Sequence, residues 1–276
     1  MREDRADTGV PGPRLGERVP VVVPAKVRIP AAAALPRERL ESRLAEAFAR
    51  RLTLVSAPAG SGKTTLVARF AATSGVPVAW YRADAWDADE RSLLRHLEAA
   101  LRGAMPELGG GWSTMEHAIE ALEARATRNP GPVALVVDDF HTLEATEAEA
   151  AFGRFVDWAP DWLAVVVASR VAPGINLSRL RVSGDLLELG TDDLRFRAWE
   201  VEQLFRDVYH DPVPPADLAV LARRTEGWAA GLQLFHLATR GRSADERRRV
   251  LGGPGSSGRL LQCRGQLSLR HNSLLR

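Results

Sequence analysis

The chain has 276 residues, of which 45% are hydrophobic and 26% charged, a composition typical of a globular protein with one substantial core and room for a second small domain. The formal net charge of +2 is too close to neutrality to indicate a nucleic-acid-binding chain, so we expect no direct DNA binding. The single cysteine, Cys263, excludes an internal disulfide, and no apolar run is long enough for a bilayer span, so we expect a cytoplasmic protein without a membrane partner.

The first 50 residues divide into a tail and a helix. Residues 1–24 are rich in charge, proline and glycine, which predicts a disordered N-terminal tail. A helix is predicted to open within residues 35–40, because Leu40, Leu44 and Phe48 share one helical face.

Short buried runs then alternate with helical patterns. The predicted strands are residues 52–55, 78–81, 133–137, 164–168 and 186–189. Helices are predicted after the first strand, from Asp89 or Ser92 through Leu101, over 115–126 and over 147–158. Strands that alternate with helices predict an α/β fold with three αβα layers and a parallel central sheet. From about Trp199 the pattern is helical throughout, which predicts a small all-helical subdomain.

The stretch SAPAGSGKTT, residues 56–65, lies between the first predicted strand and a helix. It matches the phosphate-loop pattern G-x-x-x-x-G-K-[ST], except that Ala57 replaces the first glycine. In this pattern Gly60 and Gly62 let the backbone N–H groups point inward, Lys63 places a charge beside the phosphates, and Thr64 can hold Mg²⁺. The alternative is a glycine-rich joint without a ligand. The residues predicted to bind the nucleotide are Pro58, Ala59, Gly60, Ser61, Gly62, Lys63, Thr64 and Thr65.

The scarcity of lysine supports a phosphate site. Of the 37 basic side chains, only Lys26 and Lys63 are lysines. A compact ammonium fits between phosphate oxygens, whereas a planar guanidinium does not fit there in the same way. A lysine retained at position 63 of an arginine-rich chain therefore favours phosphate binding.

Polar residues follow the third and fourth predicted strands, at the edge where ligands bind in open α/β sheets. Asp138 is the candidate partner of Mg²⁺, and Asp139 the candidate to orient an attacking water; the alternative is a turn with helix-capping carboxylates. Arg170, after Ser169, is predicted to stabilise charge on the leaving phosphoryl group, the alternative being a surface arginine.

Two further side chains are interpreted more simply. His141 fits a contact to the nucleotide site and a cap of the following helix equally well. Trp228, in the stretch GWAAGLQL, is interpreted as core packing rather than as a nucleotide contact.

Taken together, the motifs resemble the nucleotide-binding module of MalT-like regulators, the large ATP-binding LuxR-type transcription activators of the STAND class of signalling NTPases. The resemblance covers residues 25–250. The matching stretches are KVRIP at 26–30, residues 35–40, SAPAGSGKTT at 56–65, VVDDFH at 136–141, ASR at 168–170 and EGWAAGLQL at 226–234.

The resemblance implies an ATP/ADP switch that uses Mg²⁺. A closed monomer would hold ADP, and an inducer-stimulated ATP form would self-associate and activate transcription, with only slow hydrolysis. By position, the resemblance assigns residues 60–65 to the phosphates and Mg²⁺, Asp138 and Asp139 to the metal and hydrolysis, and Arg170 to sensing the nucleotide state. Arg39 lies where the family's entry helix approaches the adenine. The predicted catalytic residues are Lys63, Asp139 and Arg170, and the predicted metal ligands are Thr64 and Asp138.

The resemblance also suggests domain limits. We expect a disordered tail at 1–24, the P-loop NTPase domain at 25–195, a helical lid or winged-helix-like subdomain at 196–250 and an irregular tail at 251–276. Family members usually continue into superhelical repeats and a helix-turn-helix, so we expect a truncated or frameshifted chain or a piece of a longer regulator. The alternatives are a P-loop phosphotransferase acting on a small acceptor and a non-functional fragment.

Overall fold

A five-stranded parallel sheet forms the centre of the computed structural model, which describes residues 22–31, 34–126 and 131–252. The strands are Leu52–Ser56 (β1), Val78–Arg82 (β2), Val133–Asp138 (β3), Leu163–Ser169 (β4) and Leu186–Leu189 (β5). Their order is β2-β3-β4-β1-β5, and every neighbouring pair is parallel. The predicted α/β fold is confirmed, and each predicted strand agrees with the structure to within one residue at either end.

The interior strands β3 and β4 are buried along their whole length, because helices cover both faces of the sheet. All residues of β3 and β4 are apolar except at their carboxyl ends, where Asp138 and Ser169 are also buried. Register places Val137 of β3 opposite Val167 of β4, and Val55 of β1 opposite Ala168. The polar ends of neighbouring strands therefore meet at one edge of the sheet.

The helices follow the sequence patterns closely. They are Glu38–Ala45 (α1), Lys63–Thr73 (α2), Glu90–Ala104 (α3), Met115–Ala126 (α4), Glu147–Trp158 (α5), Leu177–Ser183 (α6), Thr191–Leu194 (α7), Ala198–Gln203 (α8), Pro215–Thr225 (α9), Ala229–Thr239 (α10) and Ala244–Gly252 (α11). The Asp89 side chain caps α3 by accepting from the amide of Ser92 at 2.8 Å. Thr146, rather than His141, caps α5 through the amide of Glu149.

The helices form layers on the two faces of the sheet. On one face α3, α4, α5 and α6 pack against side chains such as Leu135 and Val165. On the other face α1 and α2 pack against Val136 and Val166. Alternate residues of one strand therefore enter opposite cores, as the pleat requires.

Residues 196–252 contain helices and turns around a separate core that includes Phe205, Leu221, Leu232 and Phe235. A π-helix, Leu204–Val208, continues α8 and was not predicted, because one extra residue per turn leaves no clear sequence period. No strand that could form a wing is present between residues 196 and 252. Leu35, from the other side of the predicted boundary at 195, also packs into this core.

Other departures are local. The predicted first helix begins at Glu38, and its last turn, Glu46–Ala49, is a 3-10 helix. A further 3-10 helix, Pro24–Val27, begins inside the expected N-terminal tail, whereas residues 1–21 of that tail and 253–276 of the expected C-terminal tail lie outside the described residues. Within the described ranges, no helix has the length and apolar character needed to cross a membrane.

Candidate nucleotide-binding site

The phosphate-loop sequence forms a tight turn between β1 and α2. Gly60 and Gly62 have φ values of 74° and 86°, in the left-handed region that favours glycine. Gly62 is the N-cap residue of α2, and no side chain caps the helix there. The first-turn amides of α2 and the helix dipole therefore favour an anion at this position.

The Lys63 side chain is folded over the loop and is 7% exposed. Its Nζ donates to the carbonyl oxygens of Ala57 at 2.8 Å and Pro58 at 3.1 Å. Burial lowers the pKa of Lys63, and the charge of Arg170 lowers it further, while Asp139 and Asp138 act in the opposite direction. The structure therefore brings the ammonium, Arg170 and both acidic groups to one place.

Thr64 and Asp138 form the second part of the site. Thr64 Oγ1 donates to the Asp138 carboxylate, at 2.9 Å from Oδ2 and 3.1 Å from Oδ1. Burial raises the pKa of Asp138, and the neighbouring Asp139 raises it further. A hydroxyl and a carboxylate in contact are oxygen donors that suit Mg²⁺, which usually takes one or two carboxylates and completes its shell with phosphate and water. Within the described ranges, no group of three His, Cys, Asp or Glu side chains that could hold a metal occurs.

Asp139 adopts a left-handed backbone conformation, with φ 54° and ψ 31°. A non-glycine residue in this region costs about 1 kcal/mol or more, and such residues cluster at functional sites. Its side chain does not cap the following 3-10 helix, which argues against the capping interpretation. Instead, Asp139 Oδ2 accepts from Arg82 Nε at 3.0 Å.

The end of β4 supplies two more groups. The carbonyl of Ser169 accepts from the amide of Ala57 at 3.2 Å, which joins β4 to the loop. Ser169 Oγ is buried and has no hydrogen-bond partner in the described part of the chain. Arg170 is half-buried and close enough to Lys63 to influence its pKa, so it is not a surface arginine remote from the site.

The helical part closes one side of the loop. Trp228 Nε1 donates to the carbonyl of Ala59 at 3.2 Å, and the amide of Ala230 donates to the carbonyl of Gly60 at 2.9 Å. The interpretation of Trp228 as core packing is therefore wrong, because its ring lies on the phosphate loop. Neighbouring Gly227 has φ 69°, and a Cβ there would lie 2.3 Å from the carbonyl oxygen of Phe196. This glycine lets the chain turn towards the loop.

A cleft of about 320 Å³ extends from the loop between α2, the segment before α1 and the helical part. Its size and mixed lining suit a small molecule. The lining residues include Gly60, Gly62, Thr65, Leu66, Leu35, Arg37, Phe196, Leu204, Tyr209, Ala229 and Gln233.

Arg39, the residue assigned to the adenine, is not among the residues that line this cleft. Its guanidinium donates to both oxygens of Glu200, at 3.0 and 3.1 Å, and to two main-chain carbonyls. Arg37 does line the cleft; it also binds Glu200 and lies 4.1 Å from the centroid of the Phe196 ring. An adenine contact by Arg39 remains a prediction, and Arg37 was missed.

Tyr209 and Gln233 were also missed. The Tyr209 hydroxyl donates to Gln233 Oε1 at 2.5 Å, and burial raises the pKa of Tyr209 to about 12. The π-helix Leu204–Val208 brings Tyr209 to the cleft, and no local pattern indicates that placement. The sequence offers one indication of a special role for Tyr209, which is that the chain has only two tyrosines.

Comparison with known proteins relates this chain to ATPases and to transcriptional regulators. The profile of the AAA ATPase domain family matches residues 35–162. The MalT transcriptional regulators of Yersinia pestis strain Pestoides F and of Yersinia enterocolitica serotype O:8 are each 34% identical over 216 residues, 74% of this chain and 24% of theirs. This chain thus spans about a quarter of the length of these relatives. A Walker-type ATPase of Pyrococcus abyssi shares the fold, with a TM-score of 0.56 and 14% identity over 87% of this chain and 75% of its own.

Proposed function

Residues 35–162 match the AAA ATPase domain family and 216 residues are 34% identical to MalT regulators, and from that premise we propose that this chain is a MalT-like P-loop ATPase module of the STAND class that binds a magnesium-complexed adenine nucleotide as a molecular switch. The observation that carries the proposal is the convergence of Lys63, the Thr64–Asp138 pair and Arg170 on one glycine loop. These groups come from α2 and from the ends of two strands, so their meeting depends on the whole sheet.

The phosphates would occupy the loop. Lys63 now donates to two loop carbonyls, and phosphate oxygens would compete for the same ammonium. The first-turn amides of α2 would supply further donors. Thr64 and Asp138 would hold the magnesium ion, whose charge offsets that of the phosphates.

The base and ribose would occupy the cleft that continues from the loop. Leu66, Phe196 and Leu204 offer apolar surface to a planar ring. Tyr209 and Gln233 supply a hydroxyl and an amide at the same wall. This division between an apolar slot and a few polar groups is usual for small-molecule sites.

Hydrolysis would be slow and would serve the switch. Asp139 would orient the attacking water, and Arg170 would stabilise the charge of the phosphoryl group in transfer. Arg82 holds the Asp139 carboxylate in this structure, so the group must share or leave that ion pair to accept a proton. This competition is a physical reason to expect a low turnover rate.

The helical part would act as the lid of the switch. Shifting a two-state population from 1:99 to 99:1 requires about 5.5 kcal/mol of differential affinity. Charge-assisted hydrogen bonds contribute about 1.5–3 kcal/mol each, so a few of them to a γ-phosphate suffice. The ATP state would self-associate, and the module would serve a LuxR-type, MalT-like transcriptional regulator of the cytoplasm. We assign no DNA contact to the module.

Calorimetric titration with MgATP and MgADP tests the proposal. Lys63→Ala should weaken binding of either nucleotide by about tenfold to a hundredfold, the value of one or two charge-assisted hydrogen bonds. Arg249→Ala is the control, because it removes one positive charge from an exposed position of α11. Equal affinity of the wild type and Lys63→Ala would contradict the proposal.

A further inference from the structure

The second lysine, Lys26, lies in a buried ion cluster outside the nucleotide site. Its Nζ contacts both carboxylate oxygens of Asp87, at 2.8 Å each, and Oδ2 of Asp84 at 2.9 Å. The side chains of Lys26 and Asp87 are 13% and 1% exposed. Three carboxylate oxygens around one point charge suit an ammonium better than a guanidinium, which explains a lysine in this arginine-rich chain.

The two aspartates belong to a compact turn after β2. Asp84 and Asp87 cap the 3-10 helix Ala85–Asp87 reciprocally: Asp84 Oδ1 accepts from the amide of Trp86 at 2.9 Å, and Asp87 Oδ2 accepts from the amide of Asp84 at 3.0 Å. Burial is the largest effect and would raise the pKa of Asp87, but the hydrogen bond from Lys26, together with those from the amide of Asp84 and from Tyr81 and the influence of His96, brings the pKa below its ordinary value. The carboxylate is therefore ionised and depends on Lys26 for its counter-charge.

This turn contacts the acidic pair of the nucleotide site. The amide of Ala83 donates to the carbonyl of Asp138 at 2.9 Å, and Arg82 holds the carboxylate of Asp139. The 3-10 helix Ala85–Asp87 also packs against Phe140–Leu143, which follows Asp139 directly. Residues 82–87 thus support both acidic residues from the side of β2.

Lys26 reaches the turn from residues 22–31, here named the N-terminal strap. Its 3-10 helix Pro24–Val27 packs on β2 and α3. We propose that Lys26 is a positioning residue, through which the N-terminal strap holds residues 82–87 against Asp138 and Asp139 and so keeps both carboxylates placed for the metal and the attacking water. The catalytic part of this inference rests on the proposed function.

Loss of the ammonium has a distinct expected effect. It leaves Asp87 charged and buried without its main partner, a situation that is strongly unfavourable. The turn at residues 82–87 should then open locally. The phosphate loop is held by other contacts, which join Lys63 to the carbonyl of Ala57 and the amide of Ala57 to the carbonyl of Ser169. These contacts do not involve the turn. We therefore expect turnover to fall with little change in nucleotide affinity.

Hydrogen exchange by mass spectrometry, on the full chain without nucleotide, tests the structural part. Lys26→Met keeps the aliphatic stem and removes the charge; Arg28→Met removes a charge from an exposed position of the same strap. We expect faster exchange in peptides that cover 83–87 and 137–143 for Lys26→Met alone. Asp84→Asn is a milder variant, because asparagine still caps a helix but loses the ion pair, and it should give a smaller change in the same peptides.

Steady-state hydrolysis and calorimetric affinity test the catalytic part. A displaced catalytic group costs up to about a hundredfold in rate, so Lys26→Met should lower kcat by about tenfold to a hundredfold while the Kd for MgATP stays within about twofold. Equal kcat and equal exchange in Lys26→Met and Arg28→Met would overturn the inference, as would a parallel loss of affinity. A wild type that binds no nucleotide would refute the proposed function instead, and the exchange result would still decide whether the strap supports residues 137–143.

Discussion

The main-chain amide of Ala230 donates to the carbonyl of Gly60 at 2.9 Å, so helix α10, which belongs to the proposed lid, is bonded directly to the phosphate loop. A Cβ at Gly60 would lie 2.7 Å from the Cβ of Ala230 and 3.0 Å from the Trp228 ring. The loop and the lid therefore meet without space for a methyl group. Any change in the loop on nucleotide binding must be transmitted to α10 or break this contact.

Gly60→Ala should separate the lid from the loop. The methyl group overlaps Ala230, and alanine at φ 74° adds a backbone cost of about 1–2 kcal/mol. We expect nucleotide affinity to fall at least tenfold and the total tryptophan emission, to which Trp228 contributes, to change in the free protein. Calorimetry and emission spectra measure the two effects.

Gly75→Ala separates the steric effect from the backbone effect. Gly75 has a similar φ of 72°, but no atom lies within 4 Å of the position of its added Cβ. The Gly75→Ala variant should lose about as much stability as Gly60→Ala, but it should retain its affinity for nucleotide. Equal loss of affinity in both variants would show that the lid contact has no role.

Asp138→Asn tests the metal site and its pH dependence. Folding raises the pKa of Asp138, so the folded chain binds this proton more tightly than the unfolded chain, and the ionised carboxylate costs stability as pH rises through that range. We expect a higher Tm for the nucleotide-free variant at pH 7. Mg²⁺ requires the ionised carboxylate. As pH falls, the magnesium-dependent affinity of the wild type for ATP should therefore begin to decline at a higher pH than it would with an aspartate of ordinary pKa.

The measurement for Asp138→Asn is ATP affinity with magnesium and with a chelator. The wild type should bind more weakly in the chelator, and the variant should show the same affinity in both. Retained magnesium dependence in the variant would refute the assignment of this residue to the metal.

Glu200 holds the helical part to the start of α1, at Arg37 and Arg39. Its buried carboxylate accepts from Arg37 and Arg39, and although burial raises its pKa, these bonds bring it below the ordinary value of 4.5. Its stabilising effect is therefore present above about pH 4.5 and lost as pH falls through the lower, folded pKa. Glu200→Gln should lower the free energy of unfolding by about 3 kcal/mol at pH 7, because the buried guanidinium of Arg37 and the half-buried guanidinium of Arg39 lose their counter-charge.

Urea denaturation at several pH values checks this expectation. The free energy of unfolding of Glu200→Gln should depend less on pH in the acid range than that of the wild type does. Glu202→Gln, at a side chain 59% exposed on the same helix, should change stability by less than about 0.5 kcal/mol. A similar loss in both variants would mean that burial of the ion cluster is not the cause.

The cleft predicts base recognition by the lid. Tyr209→Ala removes one wall and the partner of Gln233, and we expect affinity for ATP to fall about tenfold while inorganic triphosphate, which lacks the base, binds as before. Competition calorimetry with both ligands measures the difference. Tyr209→Phe keeps the wall and should lose only the few-fold contribution of one hydrogen bond. An equal loss for triphosphate would place the effect on the loop instead of the cleft.

The residues of the loop could be predicted from the sequence because they are contiguous, and because glycine, lysine and threonine at fixed spacing have few other uses. The edge on which Asp138, Asp139 and Arg170 would gather was also predictable, since parallel strands place their carboxyl ends together. Arg37 and Arg39 show what could not be predicted from the sequence. Both guanidinium groups bind Glu200, and only Arg37 also packs on the Phe196 ring and lines the cleft, a difference that depends on tertiary packing.

By itself, the sequence determined the α/β fold, the parallel sheet and the phosphate loop, because hydrophobic period and local backbone freedom specify them over short stretches. Only the tertiary structure decided that Trp228 and Ala230 lie on the loop, that Tyr209 lines the cleft and that Lys26 supports the turn before the acidic pair. These contacts join segments far apart in the chain. Their partners follow from the way crossovers and helices pack, which no local pattern contains.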